Sequence, residues 1–449
     1  MAGEEHAPPI ESRTDLIEVM AAGGKPRAEW RVGTEHEKHV FHRNPLRPVT
    51  YGGEQGVRAL LEGIEARTRW HPFFDLDKPI GLRNLGDIGG ISLEPGGQFE
   101  LSGAPQLTVQ DSAAELASHM ADCHAVGDAL DINFLGLGVT PLWAVSEIPS
   151  MPKSRYAIMT SYMGKVGKLG TSMMYRSATA QTNLDFSDEA DMVKKLRVSV
   201  ALQPVVTALF ANSPFVDGKP SGFLSFRSEI WRDTDADRTG MLPFAFEDGF
   251  GFERYADYAL DVPMYFVIRN NEYIDVAGED FRAFLAGKLP QLPGQKPTIK
   301  DWENHLSTLF PEVRLKQFLE MRGADMGDIP HVNALTALWV GLLYDEAALD
   351  AAADLVKDWT VEEQAAMRQE VPRMAIHTKF RKGTVADMAR QMVEIARAGL
   401  SRRGRDEASY LAPLEQTLDS GKTQAERWLD KYHGEWAGDL TRIFEAARL

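Results

Sequence analysis

Cysteine is almost absent: the 449 residues include one, Cys123, so no intramolecular disulfide forms and a reducing compartment is expected. Positive charge is also scarce, with 49 Lys and Arg against 65 Asp and Glu and a formal net charge of −16. This argues against non-specific nucleic-acid binding and against an acidic membrane surface as partner. It also requires any anionic substrate to meet a local island of Arg, Lys or metal ion. No apolar run reaches membrane-spanning length, and the opening MAGEEHAPPIES has neither a signal-peptide core nor an Arg-rich transit pattern. The expected location is therefore cytoplasmic.

Several motifs are missing as well. There is no G-x-x-x-x-G-K-[ST], no G-x-S-x-G and no strand-led G-x-G-x-x-G, and GKVGKLGTS around Gly167 does not fit a phosphate loop. A bound nucleotide must then be held by metal and scattered basic groups. His36-Glu37-Lys38-His39 falls one residue short of H-E-x-x-H and lies in a strand-like context, so zinc is discarded. Internal repeats, low-complexity tracts and an interdomain linker are also lacking.

What is present centres on residues 84–104, NLGDIGGISLEPGGQFELSGA. Ile91 to Glu94 and Gln98 to Ser102 read as short strands, with Pro95, Gly96 and Gly97 as the turn or bulge between them. Phe99 and Leu101 alternate with Gln98 and Glu100, so one face is apolar and the other carries the acid. Upstream, Trp30 to Phe41 reads as a strand with Glu35, Glu37 and His39 on one side. Like charges so close repel, and a divalent ion is the usual means of holding several carboxylates together; oxygen ligands favour Mg²⁺. A solvated sheet face with its acids kept apart gives the same pattern.

Around these, Thr14 caps a short helix ended by Gly23-Gly24, and Val57, Leu60, Leu61 and Ile64 form a helical stripe. A long helix buries Leu116, Met120, Cys123 and Val126, which makes the thiol a core residue. FLGLGVTPLW reads as a strand. Met173 to Phe186 reads as another, with Thr179, Gln181, Asn183 and Asp185 on one side. Ser187 caps the helix after it, and Asn270-Asn271 is a hairpin turn. Capping boxes Thr360-x-x-Glu363 and Thr423-x-x-Glu426 open two of four or five helices beyond Glu346. The expected class is α+β: one catalytic unit over residues 1–449, sheet-rich from 30 to 345 and helical from 346 to 449. The basic candidates are Arg155, Lys165, Lys168, Arg176, Arg227 and Arg232. Arg227 stands out among Phe223, Phe226 and Trp231, a setting for a partly buried guanidinium that grips a carboxylate.

The segments GTEHEKH (33–39), SLEPGGQFELSGAP (92–105), MPKSRY (151–156), QTNLDFSDEADM (181–192), FRSEIWRDTDADRTGMLPF (226–244), DYALDVPMYFV (257–267), FLAGKLP (284–290), DWENHLSTLFPEVRLK (301–316), EMRGAD (320–325) and WVGLLYDE (339–346) together resemble glutamate–cysteine ligases of the plant and proteobacterial type. The resemblance implies a glutamine-synthetase-like fold, in which a curved, mainly antiparallel sheet forms a funnel-shaped site with helices outside. It implies that ATP phosphorylates the γ-carboxylate of glutamate and that the cysteine amine displaces the phosphate to give γ-glutamylcysteine. Carried over by position, Glu35, Glu37, Glu94 and Glu100 would ligate Mg²⁺. Gln181, Asn183 and Lys165 would serve the nucleotide side. Arg227 would hold the α-carboxylate of glutamate, with Arg155 nearby as a second catalytic cation, and Trp231 and Tyr265 would shape the amino-acid pocket. Plant members carry a disulfide at the positions of Val276 and Gln291, so that switch cannot operate here. The implied partners are the small-molecule substrates glutamate, cysteine and ATP, and the implied assembly is a monomer or homodimer. Remaining rivals are a ligase joining glutamate to another amine, a Mg²⁺-dependent phosphohydrolase and an inactive binding protein.

Overall fold

Alternating side chains make β1 (Val32–Arg43) the axis of the molecule: Val32, Thr34, His36 and Lys38 are buried on one side, while Gly33, Glu35 and Glu37 face the other. The computed structural model describes residues 7–84, 86 and 89–449. The first six residues of the opening segment read for a leader, and Leu85, Asp87 and Ile88 of the glycine-rich stretch, lie outside the described residues.

β1 is central in a ten-stranded sheet whose main path runs β9 (Val313–Leu315), β10 (Leu319–Asp325), β8 (Thr179–Leu184), β1, β6 (Phe99–Ser102), β5 (Gly90–Leu93), β4 (Lys78–Asn84) and β3 (Trp70–Asp75). β2 (Leu46–Pro48) and β7 (Ile132–Leu135) pair with the far half of β1, and every pairing in the sheet is antiparallel. Register decides what the sheet presents. Glu37 stands opposite Glu100, Glu100 opposite Ser92, Glu35 opposite Gln181, and Asn183 opposite Glu320. An irregularity between Met321 and Ala324 puts one extra residue into β10, and Arg322 lies within this bulge.

The other face is sealed by helices. α1 (Val109–Leu130), α4 (Glu189–Leu209) and α6 (Ile329–Leu343) pack against β1, β8 and β10. α6 is apolar nearly all round, as expected for a helix buried between a sheet and further helices. Thr34 Oγ1 lies 2.7 Å from Ser112 Oγ and 2.9 Å from Thr336 Oγ1, so hydroxyls tie β1 to α1 and α6. α7 (Val385–Arg403) packs on α6, and its side chains join one buried core that runs from Ile10 to Leu418. On the open face, α2 (Ser154–Val166), α3 (Gly170–Arg176) and α5 (Phe226–Arg232) form a wall.

The observed architecture is the mixed, largely antiparallel sheet-and-helix arrangement expected. The two strands flanking Pro95-Gly96-Gly97 form with Gly97 at φ +83, and Asn270 and Asn271 take φ +51 and +61 in their hairpin turn. Both C-terminal capping boxes form. Four local expectations are corrected. The first helix starts at Arg13, capped by Ser12 rather than Thr14, because Asp15 accepts the Ser12 backbone N–H at 2.9 Å. Asp188, not Ser187, caps α4 and accepts from Asp191 N. Met173 to Arg176 is helical, with the adjacent Met173 and Met174 both buried, which a half-buried strand would not allow. Of FLGLGVTPLW, only Phe134 and Leu135 are in strand β7.

A Cβ on Gly96 would stand 2.1 Å from the Tyr175 carbonyl oxygen, a backbone atom that cannot rotate away. Gly96→Ala is expected to lower unfolding free energy by roughly 1–3 kcal/mol in urea denaturation, the usual cost of overpacking.

Candidate functional site

Sheet register gathers Glu35, Glu37, Glu94 and Glu100 over one face, each held by neutral donors. Asn183 Nδ2 donates to Glu35 at 2.8 Å, and Thr179 N donates to Glu37 at 3.0 Å. Ser92 Oγ lies 2.9 Å from a Glu100 oxygen and 3.4 Å from one of Glu94, so a single hydroxyl spans two acids. Among the described residues none of the four forms an ion pair within 4.0 Å, whereas Glu320 on β10 is ringed by Arg314, Lys316 and Arg322. Electrostatics follow this division. Burial, and next the charge of Glu94, push the Glu37 carboxyl up to about 8. Burial and the charges of Glu94, Glu35 and Glu37 hold Glu100 well above the usual carboxylate range. Burial and then Glu320 raise Glu35. Glu320 is low despite its burial, because three cations face it.

The wall opposite is basic. α5 carries Arg227 and Trp231. Its start is fixed by Asp325, which accepts from Ser213 Oγ at 2.7 Å and Ser225 Oγ at 2.9 Å, while Arg227 N donates to Ser213 Oγ at 3.0 Å. Arg227 Nη2 donates to the Arg322 carbonyl at 3.1 Å, but among the described residues its buried Nε has no partner, and neither does the indole N–H of Trp231. Arg322 of β10 reaches the same place, where Nη1 donates to Gln181 Oε1 at 2.8 Å and pairs with Glu320. From α2 comes Arg155, whose buried Nε is also without a partner among the described residues. These groups enclose a cavity of about 120 Å³ lined by Glu37, Glu94, Arg155, Arg227, Trp231 and Arg322, with Met159, Met173, Met174 and Phe266 as its apolar side. A larger cleft of about 830 Å³ adjoins it, lined by Phe73, Arg83, Ser92, Lys153 and Tyr273. Arg155 lines both. Lys153 is buried at the entrance to this cleft; burial, and next the charge of Arg155, pull its ammonium down to about 8.

The structure therefore brings Glu35, Glu37, Glu94, Glu100, Gln181, Asn183, Arg155, Arg227 and Trp231 to one place. It puts others elsewhere. Tyr265 is buried beneath the cavity with Arg238 3.8 Å from its ring and its hydroxyl 3.5 Å from Met163 Sδ, and its neighbour Phe266 lines the cavity instead. Lys165 is exposed at the end of α2, beside Lys168 on a separate surface groove. Arg176 pairs with Asp217 and Arg232 with Glu229. Ser92, Phe310 and Arg322 were not singled out from sequence, and Thr179 was placed only on the strand face of Gln181 and Asn183. Arg322 lay in plain view within EMRGAD, two residues after Glu320 and on the same face of β10. Among the described residues no three His, Cys, Asp or Glu side chains already stand close enough to enclose a metal ion.

Comparison with known proteins adds a family. Residues 31–446 match the family described as glutamate-cysteine ligase family 2. The chain is 52% identical over 434 residues to the chloroplastic glutamate–cysteine ligase B of Oryza sativa subsp. japonica, covering 97% of this chain and 86% of that protein. It is 53% identical over 434 residues to the chloroplastic glutamate–cysteine ligase of Arabidopsis thaliana, covering 97% and 82%. Among solved structures, the glutamate–cysteine ligase of Francisella tularensis in complex with AMP superposes with a TM-score of 0.55 at 13% identity, over 93% of this chain and 87% of that one, which is a likeness of fold. The cytoplasmic expectation is corrected by these relatives, which are chloroplast proteins. A lone buried thiol and an acidic balance do not tell one reducing compartment from another.

The raised Glu37 carboxyl has a thermodynamic consequence. Between its ordinary range and about pH 8 the folded state holds a proton that the unfolded state has lost, so stability falls as pH rises. The buried His36, His39 and His119, all depressed by burial, act in the opposite sense, but only below their ordinary value of 6.5. From pH 6.5 to 8 the melting temperature of the metal-free protein is expected to fall in calorimetry, and Glu37→Gln to flatten that slope. A wild-type slope unchanged by the substitution would remove Glu37 as its source.

Proposed function

Since the chain belongs to glutamate–cysteine ligase family 2, we infer that its acid-floored cavity is where glutamate is activated by ATP and joined to cysteine. A free carboxylate is a poor electrophile. An oxygen of the glutamate γ-carboxylate attacks the γ-phosphorus of ATP and ADP departs, leaving an acyl phosphate. The cysteine amine then attacks the acyl carbon, the nitrogen loses a proton, and phosphate leaves with the former carboxylate oxygen. Because little covalent chemistry falls to the protein in phosphoryl transfer, positioning and charge do most of the catalysis.

The observation that carries this reading is the junction at Arg155, which lines both the smaller cavity, beside Glu37 and Glu94, and the larger cleft. In this assignment the small cavity takes glutamate, and Arg227 grips the α-carboxylate with its unpartnered Nε and Trp231 adds its free indole N–H. The large cleft takes ATP, with its aromatic and basic lining facing the nucleotide. Arg155 and Lys153 face the phosphoryl group in transit. Gln181 and Asn183 act one step back, the first holding Arg322 and the second holding Glu35.

The donor set fits Mg²⁺. Glu35, Glu37, Glu94 and Glu100 offer oxygen only and lack ion-pair partners among the described residues, and burial above all disfavours the anions of Glu35, Glu37 and Glu100. When bound there, the ion neutralises charge on the phosphates. The phosphohydrolase alternative loses ground to the amino-acid-sized cavity with its unpaired Arg227. Lys165, exposed and remote from the cleft, has no part in this assignment.

The test is ADP release measured with each substrate omitted in turn. Turnover is expected to need glutamate and cysteine together and to yield γ-glutamylcysteine by mass spectrometry. Equal turnover with unrelated amines would defeat the acceptor assignment. Arg227→Ala is expected to weaken glutamate binding by ~2–5 kcal/mol, the range for removing one side of a buried charged pair, read as a raised KM for glutamate. Glu94→Ala is expected to abolish the dependence of rate on added Mg²⁺ while the thermal midpoint stays close to that of the wild type.

A further inference from the structure

α2 begins without a cap of its own. The residue before it, Lys153, has no side-chain oxygen, and no side chain of the local sequence accepts from the first free N–H groups. The acceptor comes from a distant hairpin. Asp75, buried at the last position of β3, accepts from Ser154 N with one oxygen at 2.6 Å and from Ser154 Oγ with the other at 2.6 Å. Both oxygens are thus spent on the one residue that separates Lys153 from Arg155. A carboxylate at a helix N-terminus also meets the positive end of the helix dipole.

The same hairpin is a wall of the large cleft. Phe73 lies two residues before Asp75, with the Arg83 guanidinium 4.6 Å from its ring, and both line the space into which Lys153 and Arg155 also face. One strand end therefore fixes the distance between the cleft's aromatic wall and its two cations. Among the described residues Lys153 and Arg155 make no ion pair within 4.0 Å; Glu94 attracts both, and each stands 5.4 Å from the Tyr156 ring. The backbone that carries both is the one Asp75 ties down.

We propose that Asp75 is a positioning residue for phosphoryl transfer: by capping α2 from the β3–β4 hairpin it sets Lys153 and Arg155 against the phosphates. This rests on the assignment of the large cleft to ATP. Asp75 lines the cleft too, but both its oxygens are taken by Ser154, so it acts through α2, whose start its removal frees to shift. A shift of about 1 Å at a reacting group costs on the order of a hundredfold in rate.

The experiment compares Asp75→Ala, Asp75→Asn and Ser154→Ala with Lys153→Ala in steady-state kinetics, scaled to the folded fraction by circular dichroism. Asp75→Ala is expected to lower kcat about ten- to a hundredfold while the KM for glutamate changes less than twofold. Asp75→Asn keeps an oxygen for Ser154 N and is expected to recover most of the loss. Ser154→Ala, which deletes only the hydroxyl bond, is expected to show a smaller drop in the same parameter, and it carries the test if Asp75→Ala does not fold. A normal kcat per folded molecule in Asp75→Ala, or in Ser154→Ala where it must stand in, would overturn the proposal. So would Asp75→Asn as slow as Asp75→Ala. If Lys153→Ala is itself unimpaired, the reading of the cleft has failed; if Lys153→Ala is slow and Asp75→Ala is not, the capping role alone has failed.

Discussion

Glu37 and Glu100 face each other across an antiparallel pair, and directly opposed side chains in such a pair have Cβ atoms only about 4.5–5.5 Å apart. Like charges so placed repel, and the sheet cannot slip to relieve them, because a one-residue shift would turn the buried Thr34, His36 and Lys38 out to the open face. The register that buries the core thus enforces the crowding of acids. The helices behind the sheet make that register rigid: α6 and α4 are buried along almost their whole length, and hydroxyls on α1 and α6 hold Thr34 directly beneath the acids. Burial and repulsion together raise Glu37 and Glu100, a state that a divalent cation would relieve.

The basic wall is built from separate segments by a different device. Each cation is placed by a buried acid, acting on the backbone or on the side chain. Asp325 anchors the start of α5 and so Arg227, Glu320 holds the Arg322 side chain, and Asp75 secures the start of α2 between Lys153 and Arg155. Only Arg322 among these is directly ion-paired to its anchor. Among the described residues Arg155 and Arg227 keep buried N–H groups without partners. Unpaired buried donors are costly, and in the proposed assignment a ligand's oxygens complete their bonding.

Much of this was legible before any coordinates. Strand alternation placed Glu35 with Glu37 and Glu100 opposite the face of Phe99, because a half-buried strand writes its two faces into the sequence. Pro95-Gly96-Gly97 announced the turn, and the Tyr175 carbonyl against Gly96 shows why no side chain fits there. What escaped were features set by tertiary contact. Met173 and Met174 suit a strand or a helix by composition, and packing chose the helix. Arg322 shares the face of Glu320 two residues before it, but only the pairing of β10 with β8 shows that this face is the one carrying Gln181 and Asn183. Asp75 lies 79 positions from the serine it caps, beyond the reach of any local motif. Tyr265 and Lys165 share segments with cavity residues, yet one turns into the core and the other into solvent.

The account stands on the four carboxylates acting together as a cation site at the meeting of two cavities. Anomalous diffraction from crystals grown with Mn²⁺ and a non-hydrolysable ATP analogue tests this most directly. A strong peak within bonding distance of oxygens from Glu37, Glu94 and Glu100, with the analogue's phosphates on its far side towards Arg155, is the predicted result. Ordered analogue with no anomalous peak among these side chains, or a peak held by other residues, would contradict it.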